Sequence, residues 1–209
     1  MNKQKIIGVY LAAGKSSRFG SNKLLAPLLD KPLGAHGLRA AIQSNLKKVV
    51  VVTNDKGDLS WITTQIKQSD KWVINVCINA HHGLSQSLIC GLKTAEVNKA
   101  KAIIVMLADQ PLITTTVINK LINIFNKNPQ AAFVGYKSNT TISPPMLISN
   151  KLFTSIYDLS GDQGALNIIQ KNMDNGILLP LDNHDVNTVY DVDTIKDYSH
   201  IKTVMNASR

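Results

Sequence analysis

Cysteine is scarce in this 209-residue chain, with only Cys77 and Cys90. They lie 13 positions apart in apolar runs, without a CxxC or other metal-ligand spacing. The expectation is two reduced, half-buried thiols rather than a disulfide or a zinc site. Glycine and proline, 12 and 7 residues, are too few for a collagen-like or low-complexity chain. Aromatic residues make up 5%, and no helix-turn-helix, zinc-finger or RNP-type aromatic motif is present, which speaks against a nucleic-acid-binding module. No segment approaches the roughly 18 apolar residues of a membrane span. The start, a basic pentapeptide followed by Ile6 to Ala13, superficially resembles a signal peptide. Its apolar stretch is at the short limit, and a Gly/Ser/Lys/Arg loop follows at once, so the expectation is a cytoplasmic protein.

Acidic residues are also few, 14 against 23 Lys and Arg, for a net charge of +9. The excess is concentrated at one end. Residues 1 to 48 hold nine basic side chains and one acid, Asp30, whereas the remaining 161 hold 14 and 13. Such asymmetry points to an anionic partner: a nucleic acid, an anionic membrane or a phosphorylated small molecule.

Apolar residues make up 44% of the chain, and the length favours one domain. Runs rich in Ile and Val at 6–11, 48–53, 72–78, 102–107 and 131–136 read as strands, and all but the third are nearly continuous in apolar character. Strands of that kind are covered on both faces. Between them, 33–46, 58–69, 84–97 and 114–127 have helical length and spacing. This β-α-β-α order predicts a three-layer α/β/α Rossmann-like fold with an open, mostly parallel sheet. After residue 137 the pattern changes: Ser143-Pro144-Pro145 is incompatible with a central strand. Helices are expected at 150–158 and 162–173, strands at 177–181 and 186–190, and a last helix at 194–205. An antiparallel element is therefore expected in the C-terminal part. Residues 1–209 form a single domain in this reading, with a first part at about 5–110 and a second at about 131–200.

Ligands of open α/β sheets sit beyond the carboxyl ends of the strands. The first strand runs into Leu11, Ala12, Ala13, Gly14, Lys15, Ser16, Ser17, Arg18, Phe19, Gly20, Ser21, Asn22 and Lys23. Small residues let backbone N–H groups converge on phosphate oxygens, while Lys15, Arg18 and Lys23 neutralise their charge. Neither a Walker A loop nor a G-x-G-x-x-G turn fits, since Val9 stands where the first Walker glycine belongs and Gly14 and Gly20 are six apart. The fourth strand ends in Ala108, Asp109, Gln110 and Pro111. Asp109, leaving a buried strand, is placed to hold Mg²⁺ on nucleotide phosphates, and Thr114 is the better cap for the following helix. Asp191 and Asp193 come after a late strand. Only one of the two is expected to face the site; Asp193 would complete the metal shell, with a cap of the last helix as the competing role.

These residues carry a resemblance. The loop 11–23 matches the L-A-A-G-x-S-x-R-x-G-x-x-K signature of nucleotidyltransferases that activate phosphorylated substrates. Asn79 to Leu92, Ala108 to Pro111, Leu159 to Ala165 and Asp191 to Tyr198 extend the match over about residues 5–200. Together they resemble the MocA-like molybdenum cofactor cytidylyltransferases, within the MobA-like NTP transferase and nucleotide-diphospho-sugar transferase superfamily.

The resemblance implies transfer of CMP from CTP to the terminal phosphate of molybdopterin, with Mg²⁺ as cofactor. Leu11, Ala12, Ala13 and Gly14 would line base and ribose, and guanylyltransferase relatives usually carry Gly where this chain has Ala13. Lys15, Ser16, Ser17, Arg18 and Gly20 would wrap the triphosphate and Lys23 would contact it, so that Arg18, Lys23 and Asp109 carry the catalysis. Asn79, Gly83, Ser85 and Ala108 would sit by the nucleotide. Gln110, Pro111, Pro145 and Asp162 would lie on the acceptor side, and Asp109 and Asp193 would bind the metal. The implied partner is a molybdoenzyme of the xanthine dehydrogenase type or its maturation chaperone, and the expected state is a monomer. Departures fall on the acceptor side: Ala80 replaces a usual Pro, and Leu166 a frequent Arg or Lys. The alternatives are a guanylyltransferase or other NTP transferase of the same fold, a cofactor-insertion chaperone, and a basic nucleic-acid-binding module. His81 and His82 are read as a polar loop with no chemical step.

Overall fold

The computed structural model describes residues 4–54, 58–138, 141–181 and 186–207. Its frame is a seven-stranded sheet made of β1 (Ile6–Leu11), β4 (Lys48–Thr53), β5 (Trp72–Val76), β6 (Ala102–Leu107), β7 (Phe133–Ser138), β8 (Thr141–Ser149) and β9 (Ile177–Pro180). Two short strands, β2 (Pro27–Leu28) and β3 (Lys31–Pro32), form a separate ribbon. The sheet order is β5-β4-β1-β6-β8-β7-β9. Pairing is parallel except that β8 runs antiparallel to both β6 and β7. The chain fills one side of β1 with β4 and β5 and then crosses to β6 on the other. The gap between the ends of β1 and β6 is thus the switch point where such sheets take ligands.

Helices α1 (Leu33–Gln43), α2 (Thr64–Lys67), α4 (Thr115–Lys127) and α7 (Ile195–Ala207) cover one face, and α3 (Leu84–Val97), α5 (Phe153–Tyr157) and α6 (Ala165–Gln170) the other. Strand β1 is buried throughout, which explains its unbroken apolar run. Ile6 and Tyr10 point into the first core, Ile7, Val9 and Leu11 into the second. Helix α3 rides close on β1 at Gly91, where a Cβ would come 2.3 Å from Val9 Cγ1. On the other face Tyr10 donates to Gly34 O at 2.8 Å, its ring 6.3 Å from the buried Trp61.

Four expectations need correction. The segment 141–149 is an interior strand despite Pro144 and Pro145. Its register against β7 shifts between Val134–Leu147 and Tyr136–Ser143, a bulge that takes the two prolines out of the ladder. Residues 186–189 form a 3₁₀ turn in place of the expected strand, and the helices expected at 58–69 and 162–173 are confined to 64–67 and 165–170. Cys77 and Cys90 are bonded, with their Cα atoms 5.9 Å apart. The chain turns back after β5, so α3 lies against the strand end and brings the two sulfurs together. Among the described residues, no helix is long and apolar enough to cross a membrane.

Candidate active site

Backbone hydrogen bonds that continue past the strands hold the rim of the switch point. Ala12 N–H donates to Val52 O at 2.8 Å and Ala108 N–H to Leu11 O at 3.0 Å, so the loops after β1 and β6 leave the sheet side by side. The first loop then folds on itself. Ser16, with φ of 51°, accepts from Phe19 N–H through its carbonyl and from Lys23 N–H through Oγ, and Asn22 Oδ1 caps the 3₁₀ turn Lys23–Leu25. The result is a cavity of about 680 Å³. It is walled by residues 11–18, Lys23, the turn 80–84, Leu107, Ala108, Asp109, Asp162 and Asp193.

Cations and carboxylates meet at its floor. Lys23 Nζ lies 2.6 Å from Asp109 Oδ2 and 2.9 Å from Asp193 Oδ1, and Arg18 donates to Asp193 Oδ2 at 2.9 Å. Lys23 is 7% exposed. Burial works against its charge, but Asp109 and Asp193 outweigh that and raise its pKa. Both carboxylates thus converge on one cationic point. They are hard oxygen donors, and Asp109 Oδ1 is buried without a hydrogen-bond partner. This donor set fits Mg²⁺, which is commonly held by one or two carboxylates together with substrate phosphates. Among the described residues no group of three or more His, Cys, Asp or Glu could hold a metal ion, so phosphate or water ligands would be required.

The Asp191/Asp193 pair divides its work. Asp193 faces Lys23 and Arg18, while Asp191 accepts from Gln110 Nε2 at 2.7 Å. Burial of its carboxyl, with the charge of Asp109 next, outweighs the hydrogen bond from Gln110 and pushes the Asp191 pKa up to about 6. The helix cap falls to the next residue. Thr194 Oγ1 accepts from Asp197 N–H, and Asp197 Oδ2 accepts from the N–H groups of Asp193 and Thr194, a reciprocal box that leaves the Asp193 carboxylate for the cavity. Thr114 caps α4 as expected, accepting from Val117 N–H at 3.2 Å.

The opposite wall rests on two glycines. Ser85 N–H donates to Gly161 O at 3.1 Å, and Gly83, with φ of +118°, passes so close that a Cβ there would lie 2.2 Å from the same oxygen. The loop 159–165 is thereby clamped on the start of α3, with Asp162 at the cavity. His81 and His82 stand exposed at this wall, their ring centroids 3.9 Å apart.

Of the residues singled out in the sequence, Leu11, Ala12, Ala13, Gly14, Lys15, Ser16, Ser17, Arg18, Lys23, Gly83, Ala108, Asp109, Asp162 and Asp193 line the cavity. Others lie elsewhere. Gln110 is fully buried and braces the segment 189–191 instead of facing an acceptor, and Pro111 and Pro145 are buried, the latter within β8. Ser85 is buried behind the wall, and Ser87, two residues on, faces the cavity in its place. Asn79 and Gly20 are exposed outside the lining. Sequence reading passed over Ser87, Leu84, Leu24 and Leu107 as lining residues. Ser87 and Leu84 had a usable signal, since both belong to the first turn of the helix that Gly83 opens.

A loop rich in small and basic residues at the switch point, facing two carboxylates, is the arrangement of a nucleotide-handling site, and the pattern of the MobA-like NTP transferase domain matches residues 8–176. The chain belongs to that family. This MobA-like chain is 31% identical to the purine catabolism protein PucB of Bacillus subtilis over 211 residues, covering 99% of this chain and 100% of PucB. It is 28% identical over 140 residues to a probable molybdenum cofactor guanylyltransferase of Thermococcus sibiricus, covering 66% of each chain. The fold resembles that of CMP:2-keto-3-deoxy-manno-octonic acid synthetase solved with CTP, with a TM-score of 0.75 at 14% identity, covering 99% of this chain and 100% of that one. The MobA-like chain is therefore a nucleotidyltransferase-type enzyme with the α/β nucleotidyltransferase fold, a seven-stranded mostly parallel sheet with one antiparallel strand.

Proposed function

We propose that this nucleotidyltransferase moves CMP from CTP to the terminal phosphate of molybdopterin, giving molybdopterin cytosine dinucleotide and pyrophosphate. The observation that carries this reading is the convergence of Lys23, Arg18, Asp109 and Asp193 beside the Ala12-Ala13-Gly14 turn. That turn carries alanine where guanylyltransferases of the resemblance carry glycine. The acceptor reading is supported by the molybdenum cofactor enzyme among the relatives and by the S-G-D-x-G-A loop that brings Asp162 to the cavity. The relation to a purine catabolism protein supports a molybdoenzyme partner of the xanthine dehydrogenase type, or its maturation chaperone. In this proposal the enzyme acts as a monomer.

In this reading Ala12, Ala13 and Gly14 take the base and ribose, and Lys15, Ser16, Ser17, Arg18 and Lys23 the triphosphate. An acceptor phosphate oxygen attacks the α-phosphorus in line, the bond to the β-phosphate oxygen breaks, and pyrophosphate leaves with that electron pair. The attacking oxygen is already anionic, so no nucleophilic side chain is needed. Positioning and charge supply most of the rate enhancement. Asp109 and Asp193 would hold Mg²⁺, which neutralises phosphate charge when bound. Direct binding of CTP, GTP, ATP and UTP in Mg²⁺ tests the donor. The expected result is preference for CTP, and preference for GTP would turn the reading into a guanylyltransferase.

A further inference from the structure

The two carboxylates assigned to the metal are already neutralised. Lys23 Nζ touches one oxygen of each, and Arg18 takes the second oxygen of Asp193. Two positive and two negative groups thus balance, and of the four carboxylate oxygens only Asp109 Oδ1 lacks a hydrogen-bond partner.

This arrangement is held by the scaffold. Val192 N–H donates to Asp109 O at 2.9 Å, which ties the two carboxylate-bearing loops together through the backbone. Gln110, fully buried, donates to Val189 O at 3.3 Å and to Asp191 at 2.7 Å. The backbone N–H of Lys23 is anchored by Ser16 Oγ, and that of the next residue, Leu24, by Asn22 Oδ1. The four-carbon stem of Lys23 can still carry the ammonium elsewhere. The cage for a cation exists before any ligand arrives, and the protein's own ammonium stands in it.

Mg²⁺ bonds oxygens at about 2.0–2.1 Å in a near-octahedral shell. An ammonium 2.6 Å from the same Asp109 oxygen and 2.9 Å from Asp193 stands in the way of that shell. A divalent ion arriving alone must evict Lys23 from its two carboxylates into a cavity whose remaining carboxylate, Asp162, stands on the opposite wall. A triphosphate changes the balance, because its oxygens can take the ammonium of Lys23 and the guanidinium of Arg18 as the carboxylates pass to the metal.

We infer that Lys23 is the resident cation of the metal site and that a nucleoside triphosphate draws it away, so that metal and nucleotide enter as a unit and the empty enzyme binds metal weakly. The inference rests on the proposed function only in that a nucleoside triphosphate and a divalent ion share this cavity. It depends neither on CTP nor on the acceptor. By linkage, the factor by which nucleotide raises metal affinity must equal the factor by which metal raises nucleotide affinity.

The test is titration of Mn²⁺ into the full-length protein, followed by the electron paramagnetic resonance signal of the free ion. Lys23→Met keeps the apolar stem and removes the charge, and Lys23→Gln serves if that variant does not fold. Without nucleotide, Lys23→Met should bind Mn²⁺ at least tenfold more tightly than wild type, and adding Asp109→Asn should abolish the gain. CTP should raise the Mn²⁺ affinity of wild type at least tenfold, and by a smaller factor in Lys23→Met. Equal affinity of wild type and Lys23→Met without nucleotide would overturn the inference. So would wild-type protein that binds Mn²⁺ as tightly empty as nucleotide-loaded, a comparison that needs no variant. Failure of every nucleotide to bind would refute the nucleotidyl-transfer reading instead, while the nucleotide-free comparison of wild type with variant still decides the role of Lys23.

Discussion

Gly83→Ala tests how the wall that carries Asp162 is held. Gly83 has φ of +118°, a region that L-residues adopt only under strain, and an added Cβ would lie 2.2 Å from Gly161 O and 2.3 Å from its carbonyl carbon. Backbone strain alone costs about 1–3 kcal/mol. The overlap is with backbone, so it cannot be relieved by a rotamer. The loop 159–165 must retreat, which breaks the Ser85 N–H to Gly161 O bond at about 1 kcal/mol. The expected loss is therefore about 2–4 kcal/mol, a fall in Tm of roughly 4–16 °C for a domain of this size. Gly161→Ala is the matched control: its φ is also positive, at +55°, but its Cβ would meet nothing within 4 Å, so it should lose only about 1–2 kcal/mol. Thermal denaturation reads the stabilities, and steady-state kinetics should show a raised KM for the acceptor as the loop 159–165 retreats. A Gly83→Ala variant no less stable than Gly161→Ala, with an unchanged acceptor KM, would refute the clamp.

Three other outcomes are expected. Asp109→Asn should cut turnover by about 10²-fold or more, by analogy with loss of one electrostatic stabiliser, and circular dichroism should show a folded protein; near-normal pyrophosphate release would remove Asp109 from the chemistry. Burial lowers the pKa of His36, which lies 2.8 Å from Leu28 O through Nε2. Below about pH 6.5 the unfolded chain takes up the proton more readily than the fold, so stability should fall with falling pH in that window, and urea denaturation of His36→Gln should show a flatter dependence. Trp61→Ala, which removes a ring 1% exposed between Tyr10 and α1, should cost about 3–5 kcal/mol in the same assay.

The parts of the site legible in the sequence are those with local causes. The loop 11–23 combines small and basic residues directly behind a buried strand, and its cavity-lining role needs only that strand's placement. Asp109 and Asp193 follow strand-like segments, and the capping pattern around Thr194 and Asp197 is written in four consecutive residues. What escaped depends on distant neighbours. Pro144 and Pro145 fit an interior strand because a bulge against β7 removes them from the ladder, which no local pattern displays. Gln110 lies next to a site residue in sequence, yet its side chain is drawn inward by Val189 and Asp191, some 80 positions later. Cys77 and Cys90 meet only because α3 folds back along the end of β5. Ser85 and Ser87 are two steps apart on one helix turn, and the docking of Gly161 decides which is covered.

Nucleotidyl transfer to a phosphorylated pterin at the Lys23, Asp109 and Asp193 floor is decided by incubating the enzyme with molybdopterin, Mg²⁺ and each of CTP, GTP, ATP and UTP, and identifying the products by mass spectrometry. The expected products are molybdopterin cytosine dinucleotide and an equal amount of pyrophosphate with CTP, and neither with Asp109→Asn. Unaltered molybdopterin with all four nucleotides, or a guanine dinucleotide formed in preference, would contradict the proposed function.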